Sequence, residues 1–127
     1  MIVGIGIDAV DIHRVERMFA DWGDRMLQRL FSPAELAYLA TKRAPAQHLA
    51  VRLAAKEATY KALSGNELAR GMGWRDAEVV TRSSDGAPEM RLSGRAAERF
   101  AELCATSIHV SLTHSDVSAV AVVIVER

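Results

Sequence analysis

Between Met1 and Asp8 the chain alternates, with Val3, Ile5 and Ile7 on one side and Ile2, Gly4, Gly6 and Asp8 on the other. That is the two-residue period of a strand, here ending in a carboxylate. Glycine weakens a strand, so two glycines in line with Asp8 predict that another backbone or a ligand comes close on that face. Asp8 is also suited to capping the next helix. From about Val10 to Ala20 the period lengthens to that of a helix, with Ile12, Val15, Met18 and Phe19 as its apolar stripe and Arg14 and Arg17 turned elsewhere. A second short helical piece carries Arg25 and Arg29. Ser32-Pro33-Ala34-Glu35 is a capping box with proline at the first helical position, predicting a helix to about Lys42, and Ala44-Pro45 then breaks the chain.

Residues 49 to 63 follow no such stripe. Alanine, leucine, lysine and glutamate dominate, without glycine or proline, so the segment reads as helix and is small or apolar over most of its circumference. Such a helix expects burial, yet it carries Arg52, Lys56, Glu57 and Lys61, and desolvating each charge without a partner costs several kcal/mol. Glu57 and Lys61 stand at i, i+4, which predicts a local ion pair worth about 0.2 to 0.5 kcal/mol. The alanines beside them also leave room for a ligand or another backbone.

A glycine-punctuated loop follows, from Ser64-Gly65-Asn66 to Arg70-Gly71-Met72-Gly73. Trp74 to Arg82 and Glu89 to Leu92 read as a hairpin about Asp85-Gly86. Ser93 is placed to cap a helix from about Gly94 to Cys104, with Ala97, Phe100, Ala101 and Cys104 as its buried stripe. Ser107 to Thr113 alternates, and Ser118 to Val125 is apolar enough for burial on both faces; the two form a hairpin around His114-Ser115-Asp116. The pattern predicts a single α+β domain over residues 1–127, with strands at both ends and helices between.

Composition narrows the function. Sixteen basic and sixteen acidic residues cancel, so no overall charge calls for nucleic acid or an anionic membrane. The longest apolar run, residues 119 to 125, is too short to span a bilayer. A lone cysteine, Cys104, and an N-terminus without a basic then apolar leader fit a reducing, cytoplasmic setting. His13, His48, His109 and His114 have no metal-ligand spacing, which excludes zinc. Gly4-Ile5-Gly6 lacks the third glycine of a dinucleotide loop, and no nucleophile elbow surrounds Ser111, His114 and Asp116. What stands out is Asp8 and Glu57, two hard oxygen donors of the kind that hold Mg²⁺ together with substrate phosphates, with Lys61, Arg52 and Lys56 available to neutralise phosphate. His114, in a hairpin among hydroxyl residues, is a candidate phosphate donor.

Gly4-Ile5-Gly6-Ile7-Asp8, Arg52-Leu53-Ala54-Ala55-Lys56-Glu57-Ala58 continuing to Lys61-Ala62-Leu63, Trp74-Arg75-Asp76 and Ser111-Leu112-Thr113-His114-Ser115 occur in order and together resemble the holo-acyl-carrier-protein synthase family. The resemblance implies the 4′-phosphopantetheinyl transferase fold, a small, mainly antiparallel sheet packed with helices. It implies transfer of 4′-phosphopantetheine from coenzyme A to a serine of apo acyl carrier protein, giving holo carrier and 3′,5′-ADP in support of fatty acid biosynthesis. By the same resemblance Asp8 and Glu57 hold Mg²⁺, and Glu57 and Lys61 are catalytic. Arg52, Lys61, His114 and Ser115 bind coenzyme A, while Arg14, Met18, Arg25 and Arg29 dock the acidic recognition helix of the carrier. Small members of the family form homotrimers with active sites at subunit interfaces. Glu57 and a water on the metal both stand as the base for the acceptor serine. Leu53 replaces a usual aromatic, and a tyrosine common near Ser118 is absent. Two further readings are a silent coenzyme A-binding module and a metal-dependent phosphohydrolase.

Overall fold

The computed structural model describes residues 1–65 and 70–127. In chain order it contains β1 (Ile2–Asp11), α1 (Ile12–Leu30), α2 (Pro33–Leu39), α3 (Pro45–Ala62), a 3₁₀ turn (Trp74–Asp76), β2 (Ala77–Thr81), β3 (Pro88–Leu92), α4 (Gly94–Glu102), β4 (Ser107–His114) and β5 (Ser118–Glu126). The strands form a three-stranded antiparallel sheet in the order β1-β5-β4 and a separate β2-β3 hairpin, the antiparallel α+β arrangement expected.

A helix of small residues can be approached closely from every side, and α3 is. Ala50, Ala54, Ala55 and Ala58 are fully buried, with Leu49, Val51 and Leu53 nearly so. β1 lies against it backbone to backbone. A Cβ on Gly4 would sit 2.0 Å from the carbonyl oxygen of Ala62, and one on Gly6 1.8 Å from that of Ala58. The predicted close approach is therefore to a helix backbone, and only glycine permits it. Ala119, Ala121, Val123 and Val125 of β5 complete the core beneath α3, while the alternate residues of that strand are only half-buried. Burial on both faces is thus not reached within one chain.

The charges of α3 find partners that its own sequence does not reveal. Lys56 is fully buried; its Nζ donates to Glu35 Oε1 at 2.7 Å and to the carbonyls of Ala77 at 2.6 Å and Trp74 at 3.1 Å. Glu35 belongs to the predicted capping box, its Oε1 accepting from the Ser32 backbone N–H at 3.0 Å and its Oε2 from that of Val79 at 3.1 Å. One buried, hydrogen-bonded ion pair therefore joins α2, α3 and β2. Lys56 is spent on this structural role, so it does not face phosphate.

Several boundaries differ from the sequence reading. β1 runs three residues past Asp8, and Asp11 caps α1 by accepting from the Arg14 backbone N–H at 3.2 Å. The two helical pieces are one element with a kink at Gly23, whose φ of 61° and ψ of −148° only glycine adopts easily. Pro45 opens α3 instead of breaking the chain. Trp74–Asp76 is a 3₁₀ turn that precedes β2. Ser93 makes no side-chain cap, and α4 ends earlier than expected, at Glu102. Its buried positions are Ala96 and Arg99, one step from the predicted stripe, because Arg99 turns inward to donate to the carbonyls of Leu63 at 2.9 Å and Ser64 at 3.1 Å. Cys104 is exposed, with a φ of 55° that reverses the chain into β4. The predicted loop after α3 falls partly on residues 66–69, outside the described residues. Among the described residues no helix is long and apolar enough to cross a membrane.

Candidate functional site

Because the glycines bring β1 onto α3, Asp8 and Glu57 meet. Burial first, then the neighbouring Asp8 carboxylate, pushes the Glu57 carboxyl up to about 7 against the opposing pull of Lys61 and Arg14. Lys61 reaches across to β1, its Nζ 3.0 Å from Asp8 Oδ1 and 2.9 Å from the carbonyl oxygen of Ile7. The local Glu57–Lys61 pair expected from spacing gives way to this one, since Asp8 stands closer than the helical neighbour's carboxylate could predict. Asp8 Oδ2 is buried and has no hydrogen-bond partner. A buried carboxylate oxygen without a donor, beside a second carboxyl, is a donor pair suited to a hard divalent cation. No group of three or more His, Cys, Asp or Glu gathers anywhere among the described residues, so this pair would need substrate oxygens and water to fill a coordination sphere.

Glu57 also lines a cleft of about 220 Å³ between α1, α3 and Trp74, with Val10, Arg14, Met18 and Leu53 on its walls. Arg14 is exposed and Met18 half-buried, on the first stretch of α1; Arg25 and Arg29 are exposed beyond the Gly23 kink, with Met26 half-buried between them. The predicted docking residues thus share one helix, and its N-terminal part leads to Glu57.

Arg52 lies elsewhere. Five residues along α3 turn it about 140° from Glu57 and set it about 7.5 Å away along the axis. It does not line the Glu57 cleft. Although only 5% exposed, it has no carboxylate partner in salt-bridge range among the described residues. Its guanidinium carbon lies 4.2 Å from the centre of the Tyr38 ring, its Nη1 donates to the carbonyl of His48 at 3.2 Å, and its Nε is buried and unpartnered. Lys42 Nζ is 4.6 Å from the same ring centre, and the His48 ring meets it edge-on at 6.0 Å. Burial lowers the His48 pKa, and the charges of Arg52, Lys42 and His114 lower it further. His114 stands exposed at the end of β4. Ser115 Oγ accepts from the backbone N–H groups of Val117 at 3.2 Å and Ser118 at 3.1 Å, so its hydroxyl shapes the β4-β5 turn.

The structure therefore gathers the predicted residues into two groups, Asp8, Glu57 and Lys61 in one and Arg52 with His114 nearby in the other. Tyr38, Lys42 and His48 join the second group unforeseen. Tyr38 reads in sequence as part of the apolar side of α2; the i, i+4 spacing of Tyr38 and Lys42 was the only local signal for a ring under a cation.

Residues 4–122 match the 4′-phosphopantetheinyl transferase superfamily. A curated relative, holo-[acyl-carrier-protein] synthase of Geotalea daltonii, is 45% identical over 127 residues, with both chains fully covered. Among solved structures, the holo-[acyl-carrier-protein] synthase of Neisseria meningitidis superposes with a TM-score of 0.87 at 26% identity, covering 100% of both chains. That of Bacillus anthracis, in complex with CoA (3′,5′-ADP), superposes with a TM-score of 0.79 at 30% identity, covering 99% of this chain and 97% of the other.

Proposed function

Since the chain belongs to the 4′-phosphopantetheinyl transferase superfamily, we infer that it transfers 4′-phosphopantetheine from coenzyme A to a serine of apo acyl carrier protein, as a holo-acyl-carrier-protein synthase. The observation that carries its chemistry is the buried, unpartnered Asp8 Oδ2 beside Glu57 and Lys61. The serine oxygen attacks the β-phosphate of coenzyme A; a new P–O bond forms, the bond to the bridging oxygen breaks, and 3′,5′-ADP leaves with the electron pair. Such a step asks the protein for alignment and charge neutralisation more than for a protein nucleophile. Glu57 lines the cleft beside Arg14, and in this reading it receives the proton of the acceptor serine. Lys61 stabilises negative charge on the leaving side. Arg52 and His114 hold the nucleotide end, and Ser115 sets the turn that presents His114.

Asp8 and Glu57 would hold Mg²⁺, which when bound neutralises and polarises the pyrophosphate. Arg14, Met18, Arg25 and Arg29 would receive the acidic helix of the carrier, with apo carrier of fatty acid synthesis as the substrate and the cytoplasm as the compartment.

A homotrimer accounts for two features that one chain leaves open. Ile5 and Ile7 on β1 are 62% and 58% exposed, an apolar strip that a second copy would cover. The separation of Arg52 from Glu57 around α3 also leaves each chain with two partial sites, completed when one copy's Glu57 faces another's Arg52.

Intact mass spectrometry of an apo acyl carrier protein incubated with this protein, coenzyme A and Mg²⁺ tests the reading. A gain in mass of one phosphopantetheine that disappears with chelator is the expected result. Unmodified carrier despite bound coenzyme A would leave a silent binding module, and coenzyme A cleaved without any carrier a phosphohydrolase.

A further inference from the structure

Arg52 and Lys42 crowd one aromatic ring without a carboxylate between them. Arg52 lies 4.2 Å and Lys42 4.6 Å from the centre of the Tyr38 ring. Two cations drawn together repel, and the negative face of a ring offsets only part of that repulsion. The Arg52 guanidinium donates to the backbone carbonyl of His48 and interacts with the Tyr38 phenol, while its buried Nε has no acceptor. Buried N–H groups are normally satisfied, so the orphan marks a place where an anion completes the arrangement. His48 borders the group, its ring edge-on to Tyr38 at 6.0 Å, and its lowered pKa keeps it from adding a third charge while the group lacks an anion. Tyr38 itself comes from a different helix, α2, whose N-terminus is locked to α3 by the Glu35–Lys56 pair, so the ring is held at a fixed height against Arg52.

We propose that Tyr38 is a positioning residue whose ring face holds Arg52 and Lys42 as a two-cation clamp for a phosphate monoester, the 3′-phosphate of coenzyme A, and so sets the preference for coenzyme A over its dephosphorylated form. The proposal rests on the transferase reading and adds to it a residue that touches neither the pyrophosphate nor the acceptor serine. A phosphate monoester fits because its negative charge and several oxygens can answer the Arg52 guanidinium and the Lys42 ammonium at once, where a neutral ribose hydroxyl leaves one cation unpaired.

Transfer kinetics with coenzyme A and with 3′-dephospho-coenzyme A test it, on the wild type, Tyr38→Phe and Tyr38→Leu. Tyr38 is half-buried on the surface of α2, so both variants should fold. Tyr38→Leu is expected to raise KM for coenzyme A about tenfold, as loss of a desolvated cation–ring contact would, while kcat and the KM for the dephosphorylated substrate stay within about twofold. Tyr38→Phe, which keeps the ring face, should remain within about threefold of the wild type for both. Equal KM increases for the two substrates, or an unchanged KM for coenzyme A in Tyr38→Leu, would overturn the proposal. Calorimetric titration with 3′,5′-ADP and with 5′-ADP separates it from the transferase reading. A variant that loses affinity for the first ligand alone supports the clamp even if no carrier is modified, and equal loss for both defeats it even in an active enzyme.

Discussion

Glu57 shows how a single position can read differently from its neighbours on the page and in space. Its carboxyl titrates near 7 where an ordinary glutamate titrates at 4.5. Between those values the metal-free folded protein keeps a proton that the unfolded chain has released, so stability falls as pH rises through that window and the full penalty stands above it. Glu57→Gln removes the penalty. Melting curves without metal should therefore show the variant more stable than the wild type at pH 8 and indistinguishable from it at pH 4. Mg²⁺ should raise the wild-type Tm more at pH 8 than at pH 6 and leave the variant unmoved. Arg14→Ala should weaken binding of apo carrier about tenfold by surface plasmon resonance while coenzyme A affinity is kept, since a charged interface contact carries roughly 1 to 2 kcal/mol. Asp8, Glu57 and Lys61 were legible because each charge sits among small residues, which is costly unless something compensates it. Which charge meets which was not, because Lys61 chooses between a neighbour on its own helix and a residue 53 positions away on another strand. Tyr38 was illegible for the opposite reason, since an aromatic on the apolar side of a short helix reads as core.

Among the elements, the contact between β1 and α3 is the one least tolerant of change. Gly6→Ala places a methyl 1.8 Å from the Ala58 carbonyl oxygen. Backbone opposes backbone there, so the strain has nowhere flexible to go, and urea unfolding should register a loss of about 3 kcal/mol. Lys56→Met should cost about 3 to 5 kcal/mol in the same experiment, because it strands Glu35 as a buried charge. The strand and its glycines were readable from a two-residue period. Element ends were less so: Asp8 and Asp11 are equally good caps, and only the length of pairing with β5, which continues to Asp11 opposite Ser118, selects the second. Cys104 failed as a core position for a similar reason. The helical stripe projects it inward only if the helix continues, and the left-handed turn at that residue ends it.

For the molecule as a whole, the decisive geometry is the placement of Arg52 and Glu57 around one helix. If interfaces pair them between copies, then Arg52→Ala and Glu57→Gln proteins, each inactive alone, should complement when unfolded and refolded together. Random assembly in a symmetric oligomer leaves about a quarter of the sites with both native residues, so roughly that share of activity should return. A mixture that stays inactive would place both residues in the same site of one chain. Overall composition announced none of this, since a neutral net charge hides an uneven distribution of cations and carboxylates over the surface.

If interfaces pair Arg52 and Glu57 between copies, that same placement makes activity a property of concentration. A helix is too stiff to bring its two sides to one ligand, so a chain that comes apart from its neighbours can be perfectly folded and still hold only half of what the reaction needs. Dilution would then act as a reversible off-switch, lowering turnover per chain while circular dichroism reports no loss of structure.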